Sequence, residues 1–289
     1  MRPRGQASEV KRMSLMAAVL AFMPGIATGA PKVAPKVAST ALCGDQLVAT
    51  LVTPDRIAAV SSQSLDPTLS KVADIARTLP VMPASAEAFL WSGAEIVVGS
   101  DRGDIKTLAL MERLGAKVVR MTLQNSFADS MRQLRQISTA LGVGDAGEAL
   151  ATDAEKRLRD VTAAAPAVPV LVAYYRPDGG SSAQGTFVNE ALELAGYRNL
   201  AAHLGRKGWG RLDMETLVLN PPEALVAAYF DRPGWSLRHK FTHHPVFRQV
   251  MADRPTIAVP GALIACSGWP LIDGIEFLAH ARPSAGTTP

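Results

Sequence analysis

Cys43 and Cys266 are the only cysteines in the chain. Two cysteines in an exported protein point to one disulfide, although buried free thiols or thiolate metal ligands use the same residues. His239 and His243 are spaced i, i+4 and could share a metal on one helix face. Pro245 follows closely and no HExxH arrangement is present, so the spacing reads better as a solvated polar turn ahead of a helix. There is no Gly-rich phosphate loop, no Gly-x-Ser-x-Gly and no dinucleotide fingerprint. Gly142-Val143-Gly144 lies between helical stretches, the wrong context for a nucleotide loop. Without a nucleophile–base motif, an enzyme would have to rest on Asp101, Asp231 or Cys266.

The other chemistry-bearing residues are aromatic and basic. Tyr174, Tyr175, Trp209, Tyr229, Phe230, Trp235 and Trp269 follow predicted strands or sit in long loops of the second half. Arg102, Arg176, Arg206 and Arg232 occupy the same class of loop. Each alone fits core packing or a solvated face. Together they describe the wall of a cleft for a large, flat, partly anionic ligand. Trp91 lies inside a helix-period run and is predicted to be core.

The elements that must position these loops are organised around a repeated unit. Residues 86–98 and 214–226 each contain a Glu, an apolar helical turn, a break, a second Glu eight residues after the first, and an apolar run. The break fits a helix ending and a buried strand beginning. Strands are expected at 56–61, 95–98, 117–121, 169–174 and 255–260, with helices at 105–114, 187–195, 244–251 and 271–280. Alternation of strand and helix favours parallel sheets with covering helices. Between 126 and 163 the pattern is helical, interrupted near Gly142. The expected organisation is a leader (1–29), a linker (30–37), an N-terminal α/β lobe (38–125), a helical connector (126–166), a C-terminal α/β lobe (167–282) and a disordered tail (283–289).

The leader reading rests on a basic start (Arg2, Arg4, Lys11, Arg12), an uncharged stretch from Met13 to Ala27 and a small-residue end. Cleavage after Gly29 is preferred, because cleavage after Ala30 would set Pro31 beside the cut. No Cys follows the apolar stretch, which disfavours a lipid-anchored form. The whole chain carries +4, of which +3 lies in the first thirty residues, leaving about +1. The high pI therefore does not argue for nucleic acid.

The Ser39-Thr40-Ala41-Leu42-Cys43 run after a strand, the twin Glu units, the mid-chain helix, Gly208-Trp209-Gly210 and Cys266-Ser267-Gly268-Trp269-Pro270-Leu271 carry a resemblance. In order and spacing they resemble the helical-backbone periplasmic substrate-binding proteins of ABC importers for ferric siderophores, haem and cobalamin. The resemblance implies an α/β fold of two lobes with parallel-rich central sheets and flanking helices. The lobes are joined by one long rigid helix, with the ligand cleft between them. It implies a monomeric, non-enzymatic periplasmic protein without a cofactor. Such a protein captures an iron complex or corrinoid and delivers it to an inner-membrane permease. Glu87 and Glu215 match the family's permease-docking acids. The usual Pro-Asp after them is Ala94-Glu95 in the first unit and Pro222-Glu223 in the second. The expected ligand-binding set is Cys43, Ser62, Gln63, Ser100, Asp101, Arg102, Tyr174, Tyr175, Arg176, Trp209, Tyr229, Arg232, Cys266 and Trp269. Two alternatives remain open at this point: a protein of the same build for a bare metal ion with His or Cys ligands, and a secreted two-domain α/β enzyme.

Overall fold

The computed structural model describes residues 34–83, 85–103, 105–229 and 244–283. The proposed leader, Phe230, Asp231, Arg232, Trp235, His239, His243 and residues 284–289 lie outside them. Short apolar runs in the first half form β1 (Val37–Ser39), β2 (Ile57–Ser61), β3 (Val81–Met82), β4 (Ile96–Ser100) and β5 (Lys117–Met121). They pair as an all-parallel sheet in the order β3-β2-β1-β4-β5. The central strands are almost continuously apolar because both faces are covered, as parallel sheets require. Alternate residues serve the two faces. Ala38, Ala59 and Val97 pack with Phe89 of α3 (Ala86–Trp91) and with Leu108 and Met111 of α4 (Ile105–Arg113). Val37, Val60 and Val98 belong to the core of α1 (Leu42–Leu51) and α5 (Phe127–Ala140).

The second half repeats this plan. β6 (Val170–Tyr175), β8 (Tyr197–Asn199), β10 (Ala224–Ala228) and β11 (Thr256–Val259) form a parallel sheet in the order β11-β10-β6-β8. One face packs with α7 (Phe187–Leu194) and α12 (Leu271–His280). The other packs with α8 (Leu200–His203), α9 (Met214–Leu219) and α10 (Pro245–Met251). Two short strands, β7 (Gly180–Ser182) and β9 (Trp209–Arg211), pair antiparallel beside this sheet. They lie where loops were expected, since Gly-Ser-Ser and Trp-Gly-Arg carry no strand pattern. The short helices α2 (Ala73–Ala76) and α11 (Gly261–Ile264) complete the elements named here.

The connector differs from a single long helix. α5 ends at Leu141–Gly142, where Gly142 takes a left-handed φ of 73°, and α6 (Gly144–Ala163) runs back against it. Gly147 is needed at the crossing, since a Cβ there would stand 1.9 Å from Ser138 Oγ. The largest core cluster runs from Val37 and Leu47 through Met131, Ile137 and Ala151 to Val172 and Leu271. Both lobes therefore share one core. Arg157 of α6 binds Asp273 at 2.6 Å and also Glu276, and Lys71 of the first lobe reaches Asp273 at 3.0 Å. These ties oppose a wide hinge motion.

Trp91, expected in the core, is 83% exposed. α3 buries Phe89, and a residue two positions further on points to the opposite side of a helix.

Asp45 of α1 is fully buried below the first sheet, accepting hydrogen bonds from the Ser61 amide at 3.0 Å and from the Ser61 hydroxyl. Burial outweighs these bonds and raises its pKa to about 6. A carboxyl raised in the folded state stabilises below the unfolded value, and that contribution is lost as pH rises through about 6. Asp45→Asn should therefore gain stability relative to wild type by about 2 kcal/mol between pH 4 and 7. Urea unfolding of both proteins across that range checks this; parallel curves would refute it.

Candidate functional site

Parallel strands place all their carboxyl ends on one rim, and in open α/β sheets ligands bind outside that rim. In the first lobe the rim carries Thr40–Cys43 after β1, Ser62 and Gln63 after β2, and Ser100, the last residue of β4, with Asp101 and Arg102 after it. In the second it carries Arg176–Gly179 after β6 and Tyr229 after β10. The rims are tied together. Cys43, at the start of α1, forms a disulfide with Cys266, after α11, with Cα atoms 5.6 Å apart. Gln46 Nε2 donates to Cys266 Sγ at 3.3 Å, while Gln46 Oε1 accepts from the Lys71 amide at 2.9 Å. The Gln124 amide donates to Ser267 Oγ at 3.3 Å. Gly261 lies against the first lobe, since a Cβ there would meet the Thr68 carbonyl at 2.5 Å.

Four buried polar atoms in these rim segments have no hydrogen-bond partner among the described residues: Thr40 Oγ1, Asp101 Oδ1, Arg176 Nε and Trp269 Nε1. Such groups are costly unless something completes them. Arg176 Nε stands 3.9 Å from Asp178 Oδ1, beyond hydrogen-bond range. The guanidinium lies 5.4 Å above the ring of Tyr229. Tyr229 has a φ of 63°, rare for a side chain of its size, and its hydroxyl donates to the Ile264 carbonyl at 3.1 Å. Two of these groups come from each lobe: a hydroxyl and a carboxylate from the first, a guanidinium and an indole N–H from the second.

The expected residues divide accordingly. Ser100, Asp101, Arg102, Arg176, Tyr229, Cys43, Cys266 and Trp269 belong to the rim segments. The bonded cysteines offer neither a thiolate ligand nor a nucleophile. Tyr174 and Tyr175 do not line the cleft: their side chains are buried, Tyr174 in the shared core and Tyr175 5.4 Å from the ring of Phe247. A strand with both faces covered has no open side for them. Ser62 is exposed. Gln63, also exposed, accepts from the Leu42 amide at 3.2 Å at the start of α1. Trp209 on β9 packs against Phe187, with centroids 5.5 Å apart. Arg232 lies outside the described residues. Gln46, Lys71 and Gln124 were not singled out by sequence, and Thr40 and Ser267 entered only within the runs around the two cysteines. Among the described residues no group of three or more His, Cys, Asp or Glu side chains could hold a metal ion. A cavity of about 600 Å³ lined by Pro35, Leu90, Leu114 and Leu141 lies at the amino ends of β4 and β5, opposite the rim.

The twin units match atom for atom in their caps and clamps. Ser85 caps α3 by accepting from the Ala88 amide at 3.1 Å, and Asp213 caps α9 by accepting from the Thr216 amide at 2.7 Å. Bonds from Thr216, side chain first, hold the Asp213 carboxyl down at about 2. Glu87 and Glu215 follow in the first helical turn, exposed and without an ion-pair partner among the described residues. The second acids clamp strands. Glu95 accepts from the Lys36 amide at 3.4 Å while its own amide donates to the Lys36 carbonyl. Glu223 and Leu171 repeat both bonds, at 2.8 Å each.

Comparison with known proteins agrees with this architecture. Among curated proteins none matches the sequence. A possible iron-binding (periplasmic solute-binding) protein from Staphylococcus epidermidis superposes with a TM-score of 0.70 at 16% identity, over 85% of this chain and 97% of that one. A periplasmic heme-binding protein from Pseudomonas aeruginosa gives 0.69 at 23% identity, over 86% and 92%. The vitamin B12-binding protein BtuF of Vibrio cholerae gives 0.65 at 16%, over 85% and 95%. The profile of the family described as Periplasmic binding protein matches residues 37–231, most of both lobes. With two parallel-sheet lobes meeting rim to rim behind that match, the chain belongs to the periplasmic binding protein family.

Proposed function

We propose that this protein is the periplasmic substrate-binding component of an ABC importer, capturing an iron complex (siderophore or haem) or a corrinoid between its lobes. It delivers that ligand to the inner-membrane permease and performs no chemistry on it. The proposed organisation is a cleaved leader, two lobes and the helical connector, acting as a monomer. The observation that carries the reading is the set of buried polar atoms without hydrogen-bond partners in the rim segments, Thr40 Oγ1 and Asp101 Oδ1 from the first lobe, Arg176 Nε and Trp269 Nε1 from the second. The fold relatives described as heme-binding, vitamin B12-binding and possibly iron-binding support the ligand class.

Absorbance and fluorescence-quench titrations of the purified protein against haem, cyanocobalamin and a ferric siderophore panel test it, and binding of none of them would overturn the ligand class. Arg176→Ala should weaken binding of the ligand found by about 10- to 100-fold. That is the value of a charge-assisted hydrogen bond in a desolvated site, about 1.5–3 kcal/mol. Unchanged affinity would remove Arg176 from the site.

A further inference from the structure

Tyr229, which follows β10, holds a φ of 63°. A bulky side chain keeps that left-handed conformation only where its surroundings fix it, and such outliers collect at functional sites. Here the hydroxyl is tied to the Ile264 carbonyl at 3.1 Å. One edge of the ring rests on Gly261, where a Cβ would stand 2.7 Å from Cδ1 and 3.0 Å from Cε1. Gly261 in turn abuts the Thr68 carbonyl of the first lobe, so the contact between the lobes backs the ring. Over the ring lies the Arg176 guanidinium, 5.4 Å from its centroid. The main chain of Arg176 is fixed by the turn between β6 and β7: its amide donates to the Gly180 carbonyl and its carbonyl accepts from the Gly179 amide, both at 2.9 Å. Its buried Nε has no hydrogen-bond partner among the described residues. Asp178 does not supply one, because its Oδ1 accepts from the Gly180 amide at 2.9 Å and stands 3.9 Å from Nε.

A guanidinium carries its N–H donors in its plane and offers its face to an aromatic ring. A hydrogen-bonded ion pair would orient the group by occupying those donors, whereas stacking orients it and leaves them uncommitted. We infer that Tyr229 is a positioning residue whose ring holds Arg176 by the face, so that the guanidinium edge is oriented toward an anionic oxygen of the ligand. Tyr229 itself makes no ligand contact. Its left-handed backbone is the conformation in which one ring meets Arg176, Gly261 and the Ile264 carbonyl together. Ordering the guanidinium before the ligand arrives removes that cost from binding. This inference rests on the binding-protein reading above and gives its ligand one required feature, an anionic oxygen.

The test uses the full-length mature protein, titrated with haem, cyanocobalamin and ferric citrate, each of which carries an anionic oxygen. For whichever of these probes wild type binds, Tyr229→Leu should weaken affinity by at least about threefold, as loss of a desolvated cation–π contact predicts. Tyr229→Phe should recover most of that loss, because it keeps the ring and drops only the bond to Ile264. In an Arg176→Ala background Tyr229→Leu should add no further loss, since its effect runs through the guanidinium. Tyr229→Asn, whose side chain tolerates the left-handed backbone, repeats the comparison if the Leu variant does not fold. In ligand-free wild type the ring current of Tyr229 should move the Arg176 Nε–H proton upfield, and that shift should vanish in Tyr229→Leu and persist in Tyr229→Phe. If wild type binds a probe and Tyr229→Phe is as weak as Tyr229→Leu, the hydroxyl and not the ring acts, and the proposal is overturned while the binding-protein reading stands. Additive losses in the double variant, or an Arg176 resonance indifferent to Tyr229, would overturn it in the same way. If wild type binds none of the probes, both fall.

Discussion

Glu87→Ala/Glu215→Ala should abolish ligand uptake by cells while leaving the affinity of the purified protein for its ligand unchanged. Both acids are exposed in the first turns of α3 and α9, where the helix dipole favours a negative charge. That local role is worth only about 0.3–1 kcal/mol per residue, so it predicts a slightly lower melting temperature and no transport defect. A docking role predicts the reverse weighting: little change in melting and a loss of uptake. Neither carboxylate has an ion-pair partner among the described residues, so each is available to a basic group on another protein. Single variants should retain partial uptake, because each lobe keeps one contact. Uptake of labelled ligand, with titration of the same preparations, separates the cases; a fall in ligand affinity would remove the docking role.

Cys43→Ser/Cys266→Ser should lower stability by several kcal/mol. The bond closes a sequence separation of 223 residues, and the chain-entropy account gives about 5 kcal/mol for a loop of that order, against a usual range of about 2–5. It also ties the rim after β1 to the segment before α12, across the region where a ligand would lie. Loss of the bond frees one of the ties between the rims, leaving Lys71–Asp273 and the shared core to hold them. Affinity should fall with stability, since the ligand must then order the rims itself. Urea unfolding of wild type with and without reductant, beside the double variant, measures this. A change under about 1 kcal/mol would show that residual structure already restrains the unfolded chain. Alkylation of both thiols without reductant would count against the bond.

The local pattern was informative wherever one element buries one face. The break at Gly115 and the boundaries of α12 follow from helix period and stop signals, and the strands of both sheets from short apolar runs. The duplicated Glu spacing was legible because it repeats in linear order. Its division of labour was not: Glu95 and Glu223 clamp strands through backbone bonds to Lys36 and Leu171, residues far away in sequence for Glu223 and Glu95 alike.

Sequence by itself determined the alternation of strand and helix, the two like halves and the loops that carry Asp101, Arg176, Tyr229 and both cysteines, because period and punctuation are local properties of the chain. Only the tertiary structure decided which side of each element faces inward. Tyr174 and Tyr175 fall inside because β6 is covered on both faces, Trp91 falls outside because Phe89 takes the buried side of α3, and the connector folds into a helix pair at Gly142. The joining of Cys43 to Cys266 and the lack of hydrogen-bond partners, among the described residues, for Thr40 Oγ1, Asp101 Oδ1, Arg176 Nε and Trp269 Nε1 belong to the same class. Burial and hydrogen-bond satisfaction are relations between distant segments, set only when the two sheets meet over one core.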